Sequence, residues 1–215
     1  SPSSNCVSNE KLRPSDFGPP PHATFVAMTH AYAATPLGDY SGLNRDGVFV
    51  FKGINYALAD RFQPSELETT AWSDLLDATV YGPQCLQVPG IMEQLLGEST
   101  QPMAEECLTL NVFTADTSAR KPVLVWIHGG AFTNGAGSVP WYDGSNLVRS
   151  GDIVVVTINY RLGALGFRGR DNAGLSDQVN ALKWVRNNIA SFGGDPSQVT
   201  IMGESAGGAS VISLM

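Results

Sequence analysis

Residues 199–209 read Val-Thr-Ile-Met-Gly-Glu-Ser-Ala-Gly-Gly-Ala, and this stretch constrains the fold more than any other. Val199 to Met202 is a short, apolar, β-branched run of the kind that forms a buried strand. The small residues after Ser205 suit a helix packed close against the strand that feeds it. A serine between the two sits on a sharp, strained turn. Glycines at 203 and 207 remove the Cβ atoms that would clash there. Such a turn lifts the Ser205 hydroxyl beyond the carboxyl end of the sheet, beside the free N–H groups and positive dipole end of the helix. Gly-x-Ser-x-Gly alone is a weak pattern, because small residues cluster in many loops. The strand before it and the helix after it make it specific for a nucleophile turn.

The preceding chain supplies the sheet. Val123 to Ile127 and Ile153 to Ile158 are continuous apolar runs, read as strands covered on both faces. Leu108 to Phe113 alternates and reads as a further strand. Tyr142 to Arg149 fits a short helix closed by Gly151. Leu175, Val179, Leu182, Val185, Ile189 and Phe192 recur at helical spacing, predicting about five turns; Gly193-Gly194 and Pro196 stop that helix. Strand and helix therefore alternate, which implies an α/β fold with a mainly parallel sheet and sites beyond the carboxyl ends of its strands. Residues 31–36 and 48–54 carry strand signals around an Asp46-Gly47 turn, predicting a small antiparallel hairpin or meander. Residues 57–104 read as irregular, apart from a helical turn or two over 91–96. Residues 1–30 read as a Ser/Pro-rich leader.

Composition excludes several functions. Thirteen Lys and Arg against 20 Asp and Glu leave a net charge of −7, which argues against nucleic acid as a partner. The apolar runs are too short to cross a bilayer, and no basic-then-apolar leader pattern is visible. Cys6, Cys85 and Cys107 show no Cys-x-x-Cys spacing and no paired histidines, so neither a metal nor a cofactor is expected. Their spacing leaves two readings open: a Cys85–Cys107 disulfide with Cys6 left over, or three buried thiols.

Ester cleavage by serine needs a nucleophile, a base, a group orienting the base, and donors for the oxyanion. Ser205 fits the first role and the Ala206 N–H the last. The His128-Gly129-Gly130 turn at the end of the 123–127 strand fits a second donor set. The base is missing. No acidic residue or histidine occurs in residues 206–215, whereas in this topology both follow the serine. His128 reads as a loop-shaping residue, Glu204 as a buried or semi-buried structural carboxylate, Asp195 as a loop-shaping acid, and His22 and His30 as surface residues.

With these motifs in hand, the sequence resembles the type-B carboxylesterases, α/β-hydrolases that include cholinesterases and bacterial p-nitrobenzyl esterases. The likeness runs from about residue 31 onward. Its carriers include Phe51 to Ala57, Tyr81-Gly82-Pro83-Gln84-Cys85, Glu105 to Val112, Trp126 to Phe132, Asn159-Tyr160-Arg161, Gly174 to Gln178, Phe192 to Pro196 and Gly203 to Gly207. The resemblance implies an α/β-hydrolase fold, Ser205 as nucleophile, and oxyanion donors from Gly130, Ala131 and Ala206. At position 131 the family often has a third glycine, but alanine keeps the N–H. It also implies a Cys85–Cys107 disulfide and, with it, a secreted or otherwise extracytoplasmic protein; without the bridge, a cytoplasmic one.

The family's chains are more than twice this length, with their acid and histidine in the further part. Residues 31–215 are therefore expected to be the N-terminal portion of one domain, truncated after the nucleophile elbow and inactive alone. A small-molecule ester is the implied substrate, and a second polypeptide is a possible source of the remainder. The alternatives are a non-catalytic esterase-like binding or adhesion domain, and amidase or lipase chemistry at the same serine.

Overall fold

The structure, a computed structural model, describes residues 29–96, 100–168 and 172–215. The expected leader therefore lies outside the described residues, as do Cys6 and His22, except that Thr29 and His30 already belong to the first strand. Seven strands form the main sheet: β1 (Thr29–Ala34), β2 (Asp39–Arg45), β3 (Val48–Asn55), β4 (Thr109–Thr114), β5 (Lys121–Ile127), β6 (Val154–Ile158) and β7 (Gly194–Gly203). Five helices accompany them: α1 (Ile91–Leu96), α2 (Ser145–Gly151), α3 (Gly163–Phe167), α4 (Ala173–Asn188) and α5 (Ala206–Leu214).

The strand order is β1-β2-β3-β4-β6-β5-β7, with Leu76–Asp77 added beside β2. β1 to β4 pair antiparallel in sequence, and β4 pairs antiparallel with β6; β6–β5 and β5–β7 are parallel. The α/β-hydrolase expectation holds, but the sheet over this chain is mixed rather than mainly parallel. The reason is connection length. Short loops join β1 to β2 and β2 to β3, and a short loop permits only antiparallel neighbours. Parallel pairing begins where helices provide crossovers, α2 between β5 and β6, then α3 and α4 between β6 and β7.

Of the expected hairpin or meander, the structure forms the three-stranded meander. Asp39, Gly42 and Asn44 of β2 disfavour strands individually; pairing on both edges overrides that preference. The turn itself is where it was expected: Asp46 (φ 51°) and Gly47 (φ 81°) are both left-handed, and Arg45 pairs with Val48, the geometry of a two-residue primed turn. The 142–149 helix divides into a 3₁₀ turn at Pro140–Tyr142 and α2. The long helix ends as a 3₁₀ turn, Ile189–Phe192, closed by Gly193 at φ 78°.

α4 buries Ala181, Trp184 and Val185 against the sheet, and Phe192 stacks edge-on against Phe51 of β3 at 5.0 Å. Beneath its N-terminus lies a buried ion pair. Arg161 Nη2 and Nε donate to Asp177 at 2.7 and 2.8 Å, and Arg161 Nη1 donates to the Gln63 carbonyl at 2.7 Å. One guanidinium thus ties the end of β6, α4 and the irregular 57–64 segment together. Asp195 shapes its loop as expected: Arg120, Ser197 and Gln198 all donate to it and hold its carboxyl well below the usual range.

Candidate active site

β6 and β7 lie on opposite sides of β5, so the chain reverses its direction of progress at β5. That reversal opens a crevice beyond the carboxyl ends of β5 and β7, the usual binding position in open α/β sheets. Both glycine-rich turns fall there. β5 runs into His128-Gly129-Gly130, and β7 runs into Gly203-Glu204-Ser205.

Ser205 sits at φ 55°, ψ −118°, a conformation that costs on the order of 1–3 kcal/mol and persists only where its surroundings impose it. The imposing contacts are backbone to backbone. A Cβ on Gly207 would overlap the Ile127 carbonyl, and one on Gly203 would overlap the Gly207 backbone. α5 is thereby pressed onto the ends of β5 and β7, and Ser205 is left exposed at its start. The two turns touch. A Cβ on Gly129 would lie 3.1 Å from Ser205 Cβ and 2.5 Å from Glu204 Oε2. Glu204 is exposed, contrary to the semi-buried carboxylate expected, because the turn throws it outward over Gly129.

The N–H groups of Gly130, Ala131 and Ala206 have no acceptor among the described residues. Their directions are nonetheless fixed, because a trans peptide is planar and its carbonyl points opposite its N–H. The Gly129 carbonyl, in one plane with the Gly130 N–H, accepts from His128 Nδ1 at 2.8 Å. The Gly130 carbonyl, in one plane with the Ala131 N–H, accepts from the Thr133 and Asn134 N–H groups at 2.9 and 3.1 Å. The Ser205 carbonyl, in one plane with the Ala206 N–H, accepts from the Ala209 N–H at 3.0 Å. Ala131 sits at φ 52° and Phe132 at φ 60°, left-handed positions easier for glycine. The Gly163 N–H on the Phe132 carbonyl at 2.7 Å holds the second of them.

His128 is almost wholly buried and stacks on Tyr160 with ring centroids 4.4 Å apart. Because a carbonyl can only accept, the Nδ1 facing Gly129 O carries the proton. Burial lowers the ring's pKa to about 4, which keeps it neutral. Its role is to orient the turn, as expected, and it is no base. His30 lies on β1, six strand spacings from β7, roughly 29 Å across the sheet. His30 is therefore out of reach of Ser205, and no group of three or more metal-ligating side chains occurs among the described residues. A hollow of about 690 Å³ lined by Asp60, Glu66, Glu105 and Leu108 lies away from the elbow.

The implied Cys85–Cys107 disulfide is not formed here. Both sulfurs are buried as free thiols. Cys85 Sγ accepts the Leu162 N–H at 3.2 Å.

Sequence reasoning missed Gln87, whose carboxamide meets the backbone of Gly135 beneath the His128 turn. The only signal was its place two residues after Cys85 in a matched motif. It also missed the support under Gly137, whose N–H donates to Asn159 Oδ1 at 2.8 Å and whose carbonyl accepts from Thr157 Oγ1 at 2.8 Å.

Residues 30–215 match the profile described as the carboxylesterase family. The chain belongs to that family. It is 48% identical over 201 residues to the para-nitrobenzyl esterase of Bacillus subtilis (strain 168), covering 87% of this chain and 41% of that protein. It is also 41% identical over 196 residues to phenmedipham hydrolase of Pseudarthrobacter oxydans, covering 87% and 40%. Among solved structures, a thermophilic PNB esterase superposes with a TM-score of 0.80 at 48% identity, over 86% of this chain and 41% of that one. A Geobacillus stearothermophilus carboxylesterase does so at 0.74 and 45% identity, over 84% and 39%. The chain thus spans about two fifths of the length of these relatives.

Proposed function

We propose that this chain carries the nucleophile and the oxyanion donors of a serine carboxylic ester hydrolase. The observation that carries the reading is the contact between the two turns. Three acceptor-free N–H groups, each oriented through its carbonyl, belong to the two touching turns that hold a strained and exposed Ser205 at a helix N-terminus. In the proposed reaction, Ser205 Oγ attacks the ester carbonyl carbon and gives its proton to a base outside these residues. The carbonyl oxygen takes the negative charge and is stabilised by the N–H groups of Gly130, Ala131 and Ala206; each such donor is typically worth about 3–4 kcal/mol. The tetrahedral species then expels the alcohol, protonated by the same base, and leaves an acyl group on Ser205. Water removes that group by the reverse sequence. The names of the relatives, esterases and hydrolases, support this chemistry. The histidine and its orienting acid come from residues beyond this chain, in the same polypeptide or in a second one.

The test is Ser205→Ala in the polypeptide that contains these residues and turns over a p-nitrophenyl ester. Turnover should fall at least a hundredfold with the fold intact, and a fluorophosphonate adduct should map to Ser205 in the wild type only. Residual activity above a hundredth of wild type would refute Ser205 as nucleophile.

A further inference from the structure

The donors depend on a turn whose backbone is under strain, so what holds that turn matters for the reaction. Gly130, Ala131, Phe132 and Gly135 are all left-handed, at φ 103°, 52°, 60° and 107°. A loop with that many unfavourable residues relaxes unless outside contacts determine it. Gly135 is the part of the loop lying directly beneath the donors. A Cβ there would come within 2.5 Å of His128 Nδ1 and 2.7 Å of the Gly129 carbonyl. His128 and Gly129 are the pair that sets the direction of the Gly130 N–H.

Gly135 is held from outside the loop by one side chain on both its polar groups. The Gly135 N–H donates to Gln87 Oε1 at 2.6 Å, and Gln87 Nε2 donates to the Gly135 carbonyl at 3.0 Å. This two-point match also fixes which way the carboxamide faces. The remaining Nε2 proton goes to the Cys85 carbonyl at 3.0 Å. Cys85 is itself a core residue, anchored through its sulfur to the Leu162 N–H. A chain of fixed groups therefore runs from the core through Gln87 to the floor of the donor turn.

We propose that Gln87 is a positioning residue for the oxyanion turn. Its carboxamide clamps Gly135, and through Gly135 it keeps His128 and Gly129 aligned so that the Gly130 and Ala131 N–H groups face Ser205. The clamp rests on the esterase reading for its catalytic consequence, but not for its effect on the turn.

Two variants separate the parts. Gln87→Met keeps the volume and removes all the bonds; Gln87→Glu keeps an acceptor for the Gly135 N–H and loses the donor. Hydrogen exchange on the polypeptide that contains these residues should show the hydrogen-bonded amides within 129–137 (Thr133, Asn134, Gly135 and Gly137) exchanging at least about tenfold faster in Gln87→Met, with β5 and β7 unchanged. In the enzyme that contains this chain, kcat for p-nitrophenyl acetate should fall about tenfold to a hundredfold with KM within about twofold. Gln87→Glu should recover part of both. Unchanged exchange at 129–137 in Gln87→Met overturns the proposal, and so does unchanged kcat. Faster exchange throughout β5 and β7 overturns it too, because it marks general destabilisation. If the wild-type enzyme shows no ester turnover, the esterase reading fails, and the exchange result alone decides the clamp.

Discussion

Acidification should destabilise this fold through His128 before its carboxylates protonate. The ring is neutral in the folded chain because burial lowers its pKa from 6.5 to about 4. The unfolded chain binds that proton more readily, so the stability contributed by the neutral ring is complete above pH 6.5. It is lost as pH falls from 6.5 toward 4, and nothing more is lost below. The full difference converts to roughly 3 kcal/mol at about 1.4 kcal/mol per pKa unit. Between pH 7 and pH 4.5 the expected loss is about 2–3 kcal/mol. Carboxylates held low by their partners, Asp195 among them, lose their contribution below about pH 4, so this interval separates the two effects. The assay is urea denaturation of wild type and His128→Asn at both pH values. Asparagine retains a donor for the Gly129 carbonyl and does not titrate. It should be less stable at pH 7, having lost the Tyr160 stack, but its midpoint should move much less with pH. Equal pH dependence in the two proteins would refute the reasoning, as would a ring proton titrating near 6.5 in the folded wild type.

Asp177→Asn leaves the Arg161 guanidinium buried beside a neutral amide and should cost about 3–5 kcal/mol by chemical denaturation; a loss below 1 kcal/mol would mean that the pair is solvated. Gly207→Ala drives a methyl group into the Ile127 carbonyl and should cost at least about 2 kcal/mol, because neither backbone can yield; a melting temperature equal to wild type would contradict the close approach of α5 to β5. Thiol titration of the denatured chain without reductant should find Cys85 and Cys107 both free, as in the structure. Peptides linked through these two residues would restore the disulfide and the extracytoplasmic location it implies.

Much of this architecture was legible in advance because its signals are local. Continuous apolar runs marked β5 and β6, helical spacing marked α4, and Gly193 marked its end. The strand-to-helix turn at Ser205 was legible because strand, glycine, serine and glycine are adjacent in sequence and their joint geometry has few solutions. Where the reading stayed open or went wrong, a distant partner decided. Between hairpin and meander, which the local signals left open, the pairing of β2 with both β1 and β3 decided. Glu204 looked structural from its neighbours, but its exposure depends on where β5 ends.

By itself the sequence determined the α/β class, the strand-to-helix turn at Ser205, the glycine-rich turn, and the family. Those properties are carried by residue type at short range. Only the tertiary structure decided that β6 and β7 leave β5 on opposite sides and bring the two turns together. Only it showed that His128 is neutral and spent on Gly129, and that Gln87 reaches Gly135 across 48 residues. The physical reason is that peptide planes and buried rings take their orientation from hydrogen bonds, and those bonds join parts of the chain that no local pattern connects.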